Sequence, residues 1–336
     1  MKRLVVCCDG TWNTADATAD GKPCPTNVVK MARAVAPRDE EGNAQVVFYD
    51  EGIGTGGLLD RVVGGATGKG LMRNVGDAYR FLVWNYEPGD EIYLFGFSRG
   101  AFTARSVAGL VRKCGVLRKS NGRLFEEAYA FYRSDVHPRD PRAAEFRALR
   151  SHEARIRVVG VWDSVGALGV PGFLRGLAAR RHKFHDVKLS SIVDRAYHAV
   201  AIDERRRSFL PTLWETDPSN AGQVVEQAWF PGAHSDVGGG YPECGLSDVA
   251  FLWMAQRAQE AGLALDPFVL KSLEADPRGP VHESRRGLFK LLPAAEREIG
   301  AASHQPQSVH ESAMARRADP ALGYAPANLE RHLKAR

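Results

Sequence analysis

The stretch EIYLFGFSRGAFTAR, residues 91–105, constrains the fold of this chain more than any other. Residues 92–95 form an apolar run of strand length between turn residues, and apolar side chains recur at helical spacing from residue 101 onward. Between them, GFSRG matches the G-x-S-x-G pattern, which places its serine on an exposed turn between a strand and a helix. Gly96 and Gly100 leave room for close backbone packing there. The pattern predicts that Ser98 is a nucleophile; a chance match in a chain with 34 glycines is the alternative.

The remaining apolar segments predict further strands and helices. Strands are expected over residues 4–8, 46–49, 156–161 and 224–230, and helices over 27–35, 74–86, 125–132, 189–202 and 248–261. The strand segments are continuously apolar, which is typical of a parallel sheet that is covered on both faces. The order of elements predicts an α/β fold of the α/β-hydrolase type, with a doubly wound, mostly parallel sheet and helices on both faces. We expect a single domain over residues 1–336, with a core over about 2–261 and peripheral elements over 266–336.

Composition limits the partners and the compartment. The chain has 336 residues and a dispersed net charge of +5, which argues against a nucleic acid partner. Five cysteines without a C-x-x-C pair argue against a disulfide framework and against a structural zinc site. The N-terminus lacks the pattern of a signal peptide, and no apolar run has the length of a membrane span. These features predict a soluble cytoplasmic protein, and secretion by a route that reads no N-terminal signal stays open.

Polar residues follow the predicted strands where a parallel sheet carries its site, beyond the carboxyl ends of the strands. Ser98, Asp163 and His234 occur in the chain order Ser…Asp…His that the α/β-hydrolase arrangement requires. Ser98 would attack an acyl carbon, His234 would take and return its proton, and Asp163 would orient and stabilise the imidazole ring.

Two backbone donors are expected to stabilise the oxyanion. One is the N–H of Arg99, which directly follows the nucleophile, and the other comes from Gly10 or Thr11 after the first strand. Residues beside these positions are expected to line the substrate site, namely Asp9, Trp12, Phe97, Val165 and Asp236.

Several alternatives compete with this hypothesis. Asp203 and Asp236 compete with Asp163, whereas His198 is predicted to pack on a helix and His310 lies in the irregular C-terminal part. Carboxylate and imidazole groups after the strands also allow a metal-dependent phosphohydrolase, with ligands drawn from Asp9, Asp50, Asp163, Asp236 and His234. A binding module without catalysis is the third hypothesis, because a fold alone does not establish an activity.

No cofactor is expected. Residues 52–57 satisfy G-x-G-x-x-G after a strand, but no clear helix follows at once and no acidic residue ends a strand at the required distance. Residues 165–185 begin apolar and end basic, so a lid or rim over the site is expected within residues 163–188; an ordinary connector is the alternative.

Five segments together resemble one family: CDGTWN (8–13), GFSRGAFTAR (96–105), VWDSVGALG (161–169), HAVAIDERR (198–206) and WFPGAHSDVGGGY (229–241). The chain resembles the DUF2235 family of α/β-hydrolases, which includes the catalytic domains of one class of type VI secretion phospholipase effectors. The resemblance implies a Ser-Asp-His esterase with Ser98, Asp163 and His234 as its triad. It also implies a phospholipid or a small acyl ester as substrate. Peripheral membrane contact and a secretion-apparatus or immunity partner stay open, as does the alternative of a housekeeping esterase.

Overall fold

The computed structural model describes residues 1–10, 13–52, 68–165, 189–217, 219–220, 222–285, 290, 293–300 and 306–335. The strands of this part of the chain are β1 (Arg3–Cys8), β2 (Thr18–Ala19), β3 (Lys22–Pro23), β4 (Gln45–Asp50), β5 (Glu91–Phe97), β6 (Val116–Leu117), β7 (Ser151–His152), β8 (Ile156–Trp162), β9 (Val193–Ala201), β10 (Val224–Phe230) and β11 (Ser308–Val309).

The helices in the same residues are α1 (Asn27–Ala34), α2 (Gly68–Asn85), α3 (Arg99–Cys114), α4 (Phe125–Tyr132), α5 (Pro141–Arg150), α6 (His234–Gly238), α7 (Gly245–Glu260), α8 (Pro267–Lys271), α9 (Glu311–Ala318) and α10 (Ala327–Lys334). Two short 3₁₀ helices cover Lys119–Leu124 and Arg207–Phe209.

A seven-stranded sheet in the order β11-β10-β9-β8-β5-β1-β4 forms the centre of the described structure. Every pair of neighbours in it is parallel. From β1 the chain moves outward to β4 and then returns past β1 to β5, β8, β9 and β10, which is the reversal of a doubly wound sheet. The predicted α/β fold is confirmed.

Helices cover both faces of this sheet, and alternate side chains of each strand point to opposite faces. In β1, Leu4 and Val6 join the core formed with α2, α3 and α4, whereas Val5 and Cys7 join the core formed with α1 and α7. A third, smaller core packs α9 and α10 against β9 and β10. Because both faces of the sheet are covered, most positions of its central strands are apolar, as the sequence indicated.

The helix predicted over residues 189–202 is wrong, because Val193–Ala201 is strand β9. This strand pairs with β8 on one side and with β10 on the other, and its residues 196–201 are all buried. A strand that is buried on both faces has apolar residues at almost every position, so some of them fall at helical spacing by coincidence. His198 therefore lies inside the sheet, and Asp203 follows a strand.

In the described residues, no helix combines the length and apolar character that a membrane span requires.

Candidate active site

The turn between β5 and α3 has the geometry that the G-x-S-x-G pattern predicts. Ser98 has φ 56° and ψ −119°, a left-handed conformation that few residues other than glycine adopt. A Cβ atom on Gly96 would lie 2.5 Å from the carbonyl oxygen of Gly100, and one on Gly100 would lie 2.0 Å from that of Cys8. Both contacts are far inside van der Waals distance, so the two glycines allow the turn to pack against itself and against β1.

His234 lies at the other side of this turn, as the first residue of α6. Its Nε2 atom is 2.8 Å from the Oγ atom of Ser98, and its Nδ1 atom is 2.6 Å from Oδ2 of Asp163. The centroid of the imidazole ring lies 4.6 Å from the ring centroid of Phe97. It lies 4.9 Å from that of Phe209, with the two rings edge to face. Burial lowers the pKa of His234 below its ordinary value, while the hydrogen bond and the charge of Asp163 act in the opposite direction. The resting imidazole is therefore neutral at pH 7, as a general base must be.

Asp163 follows β8 directly and is fully buried. Its backbone is in the left-handed region, with φ 40°, and its N–H donates to the carbonyl of Ala199 at 2.7 Å. The side chain points toward the next strand, where Oδ1 accepts the N–H of Ala201 at 2.9 Å. The ends of β8 and β9 together thus fix the position of this carboxylate.

Arg297 completes the site, and the sequence analysis did not find it. Its Nη1 atom donates to Oδ1 of Asp163 at 2.6 Å, and its Nη2 atom donates to Oδ2 at 2.9 Å. The same two nitrogens also donate to the carbonyls of Ala201 and Phe209. Burial would raise the pKa of Asp163, but the charge of Arg297 and the hydrogen bonds from His234 and Arg297 hold it far below its ordinary range. Asp163 is therefore ionised, and His234 carries its proton on Nδ1 and accepts from Ser98 on Nε2.

The loop after β9 supports the backbone of the histidine. Oε2 of Glu204 accepts the N–H of His234 at 3.3 Å. Burial would raise the pKa of Glu204, but the hydrogen bond and charge of Arg206 lower it below its ordinary value. Ser284 donates a further hydrogen bond to Glu204 at 2.9 Å. This loop gives the start of α6 a fixed negative charge.

Asp9 and Gly10 lie where β1 meets the turn. A Cβ atom on Gly10 would lie 3.3 Å from Cβ of Ser98, so the loop after β1 does approach Ser98. The N–H of Gly10, however, donates to Oδ1 of Asp9 at 2.6 Å. A substrate oxygen at this N–H would have to share it with Asp9. Thr11, the other predicted donor, and Trp12 lie outside the described residues.

The other residues predicted to line the site have partners of their own. Phe97 is buried against His234 and Gly238, and Val165 is buried and forms a backbone bridge with Pro211. Both carboxylate oxygens of Asp236 accept hydrogen bonds, from the N–H of Ala233 and from the N–H and the ring of His282. Substrate contact by these residues stays a prediction. Of the predicted lid, only Asp163, Ser164 and Val165 fall within the described residues.

Three of the carboxylates considered for a metal site have hydrogen-bonding partners of their own within the protein. Asp163 pairs with His234 and Arg297, Asp236 pairs with His282, and Asp9 accepts hydrogen bonds from neutral donors. Within the described ranges, no three His, Cys, Asp or Glu side chains come together in a group that could hold a metal ion. Asp203, the other competitor for the triad position, accepts hydrogen bonds from Gly232 and Tyr324.

His198 is buried in β9 behind the site, and its Nε2 atom accepts the N–H of Ser164 at 3.0 Å. Burial lowers its pKa to about 3, so the ring stays neutral and acts as an acceptor. It therefore holds the residue that follows Asp163 and does not contact Ser98 in this arrangement.

Comparison with known proteins gave both sequence relatives and solved structures. A yeast protein (Saccharomyces cerevisiae), uncharacterized protein YEL023C, is 30% identical over 233 residues, which cover 62% of this chain and 32% of that protein. An uncharacterized protein from Pseudomonas aeruginosa of known crystal structure is 19% identical, with a TM-score of 0.48, over 82% of this chain and 49% of that one. A solved structure of the Tle1 effector bound to the VgrG spike from the type 6 secretion system is a further match. Its chain is 21% identical, with a TM-score of 0.36, over 71% of this chain and 51% of that one.

The chain thus spans about a third of the length of the yeast relative and about half of each solved chain. The family model described as "T6SS, Phospholipase effector Tle1-like, catalytic domain" matches residues 2–257, which contain Ser98, Asp163 and His234. The chain belongs to the family of Tle1-like catalytic domains of type VI secretion phospholipase effectors.

Proposed function

We propose that this protein is a serine hydrolase of carboxylic esters that acts through an acyl-enzyme on Ser98. The observation that carries the proposal is the continuous hydrogen-bonded chain from Ser98 Oγ through His234 to Asp163, at 2.8 and 2.6 Å. His234 removes the proton of Ser98 as the oxygen attacks the acyl carbon, and it then returns the proton to the leaving alcohol. Asp163, ionised by its partners, stabilises the imidazolium that forms between these two steps.

The oxyanion of the tetrahedral intermediate requires donors beside Ser98. Arg99 is the first residue of α3, and the N–H groups of the first helical turn have no acceptor within the helix. The positive end of the helix dipole points toward the same place. We propose the N–H of Arg99 as one donor and the loop after β1, at Gly10 or Thr11, as the source of the second.

Family membership supports a phospholipid or another lipid-like ester as the substrate. The solved Tle1 effector is bound to the VgrG spike. For this chain, a secretion-apparatus or immunity partner and peripheral membrane contact stay proposals.

The first experiment is labelling with a fluorophosphonate probe, which reacts with activated serines. We expect wild type to be labelled, Ser98→Ala and His234→Ala to lose labelling, and a chelator to have no effect. Ser106→Ala is the matched control, because Ser106 is a buried serine within α3, whereas Ser98 lies in the turn before this helix. An unlabelled but folded wild type would overturn the proposal, and sensitivity to the chelator would favour the metal-dependent alternative.

The second experiment addresses the substrate. Phosphatidylglycerol vesicles and a short-chain nitrophenyl ester are compared at equal enzyme concentration, and the released fatty acids identify the bond that is cleaved. Hydrolysis of both substrates is expected, with a loss of at least about 10³-fold in Ser98→Ala. Hydrolysis of the short ester alone would support a general esterase and contradict the assignment to phospholipids.

A further inference from the structure

Arg297 is one of the largest fully buried side chains of the described structure, with 1% of its surface exposed. It belongs to the C-terminal segment, residues 293–335, which lies beyond the part of the chain that the family model matches. The segment is held against the loop after β9, because the N–H of Ala295 donates to the carbonyl of Arg205 at 2.9 Å. Ile299 and Leu329 anchor it in the third core. A well-packed segment therefore carries the arginine to the site.

Each of the two carboxylate oxygens of Asp163 accepts two hydrogen bonds. Oδ1 accepts from Ala201 and from Nη1 of Arg297, and Oδ2 accepts from His234 and from Nη2 of Arg297. A planar guanidinium that bridges both oxygens fixes the rotation of the carboxylate about its last bond. Oδ2 is then left pointing at the ring of His234. A lysine could supply the charge but not this two-point contact.

We propose that Arg297 is a positioning residue for the hydrolase reaction: it orients the Asp163 carboxylate so that His234 is held as the base for Ser98. The inference rests on the proposed function for its catalytic consequence but not for its geometry. It assigns part of the active site to the C-terminal segment, which lies beyond the residues that the family model matches.

The charges around His234 give the proposal a second readout. Two acidic side chains, Asp163 and Glu204, face His234, and Asp236 lies on the same helix. The positively charged side chains nearby are those of Arg206 and Arg297. Without the positive charge of Arg297, the negative charge of Asp163 is balanced by His234 alone. This stabilises the imidazolium form of His234. The pKa of His234 is therefore expected to rise in Arg297→Met and to stay near the wild-type value in Arg297→Lys.

The test compares Arg297→Met, Arg297→Lys and the matched control Arg316→Met in the full chain. Arg316 is a buried arginine of the same segment, but its guanidinium donates to the carbonyls of Pro277 and Gly279 rather than to Asp163. We expect kcat/KM on the nitrophenyl ester to fall roughly 10²-fold in Arg297→Met, as for other misplaced catalytic groups. Partial recovery is expected in Arg297→Lys, and Arg316→Met should keep the wild-type pH profile of kcat/KM.

Titration of the His234 ring by NMR, assigned with His234→Gln, is independent of activity. If wild type hydrolyses no ester and reacts with no probe, the proposed function fails, while a raised His234 pKa in Arg297→Met still supports the positioning role. A folded Arg297→Met with wild-type kcat/KM and an unchanged His234 pKa would overturn it.

Arg297→Met leaves Asp163 buried without its cation, so this variant is prone to unfolding. The double variant Asp163→Asn/Arg297→Met removes both charges and keeps the proposal testable. If Arg297 acts through Asp163, replacing the arginine has little further effect on probe labelling in the Asp163→Asn background. An equally large loss in both backgrounds would mean that the arginine is merely structural.

Discussion

Two buried aspartates of this protein each follow a strand of the central sheet, and their pKa values are shifted from the ordinary value in opposite directions. Asp9 follows β1 with 3% of its surface exposed, and Asp163 follows β8 with none exposed. Burial raises the pKa of Asp9 to about 6, even though hydrogen bonds from Thr26, Tyr49, Gly10 and Asn13 act against it. The pKa of Asp163 lies far below its ordinary value, because an arginine and a histidine face it.

The kind of donor explains the difference. Among the described residues, the donors to Asp9 are neutral, and two of them are the hydroxyls of Thr26 and Tyr49, at 2.6 and 2.9 Å. A hydroxyl can rotate to accept a hydrogen bond instead of donating one. Asp163, in contrast, faces N–H donors that include both terminal nitrogens of Arg297. Burial alone therefore does not keep a carboxylate ionised; a cation with fixed geometry does.

The largest expected effect comes from replacing each aspartate by asparagine. In Asp9→Asn the new amide N–H₂ can donate to Thr26 and Tyr49, so we expect less than about a 10-fold loss of kcat. In Asp163→Asn the amide meets the guanidinium of Arg297 or the N–H of Ala201, and no orientation satisfies it. By analogy with other serine triads, kcat should fall about 10³- to 10⁴-fold. Similar losses in the two variants, in steady-state ester hydrolysis, would contradict the comparison.

The next largest effect is expected where the end of β1 contacts the turn that carries Ser98. A Cβ atom on Gly100 would lie 2.0 and 2.5 Å from the carbonyl oxygens of Cys8 and Asp9, so Gly100→Ala must separate β1 from α3. We expect the free energy of unfolding in urea to fall by about 3 kcal/mol or more. Gly122→Ala is the control, because its new methyl group would meet only side chains at ordinary contact distances of 3.4–3.5 Å. Equal stability of the two variants would argue against this packing.

The smallest effect is the pH dependence of stability that Asp9 contributes. Between the ordinary carboxyl pKa and about 6, folded Asp9 keeps a proton that the unfolded chain has lost, so stability falls as pH rises through this window. Asp163 contributes in the opposite sense: its stabilisation is present above the ordinary value and is lost only as pH falls toward its low folded pKa.

Urea unfolding at pH 4, 5, 6 and 7 can separate these contributions. In Asp9→Asn the fall in the free energy of unfolding between pH 4 and 7 should be smaller by about 2 kcal/mol than in wild type. Asp50, whose pKa burial raises to about 7, remains and adds its own fall to both proteins. Asp16→Asn is the control, since that side chain is 97% exposed. If the free energy of unfolding of Asp9→Asn depended on pH as steeply as that of wild type, Asp9 would have an ordinary pKa in the folded protein.

The sequence predicted the part of the site that depends on local geometry. The pattern around Ser98 predicts both the turn and the two glycines that allow it, because these requirements lie within five residues. The ends of parallel strands gather at one edge of the sheet, so the pattern also drew attention to Asp163 and His234. Their hydrogen-bonded contact is a matter of geometry that only the structure describes.

What the sequence did not predict depends on distant partners. Strand β9 is fixed by its pairing with β8 and β10, and its own residues fit a helix as well. Helix α5 lies in a charged segment that gave no helical pattern, although Asp140 caps it and Pro141 begins it. Arg297 stands 134 positions from Asp163, outside any motif, and nothing local distinguishes it from the arginines on the surface.

That separation also orders events during synthesis of the chain. At about 5 to 20 residues per second, the 134 positions between the carboxylate and the guanidinium take roughly 7 to 27 seconds to translate. During that interval the nascent chain already contains Ser98 and Asp163, while the arginine proposed to orient Asp163 has not been made. The time at which the proposed site can form is thus set by its last-made part, well after the residues of its sequence motifs have been translated.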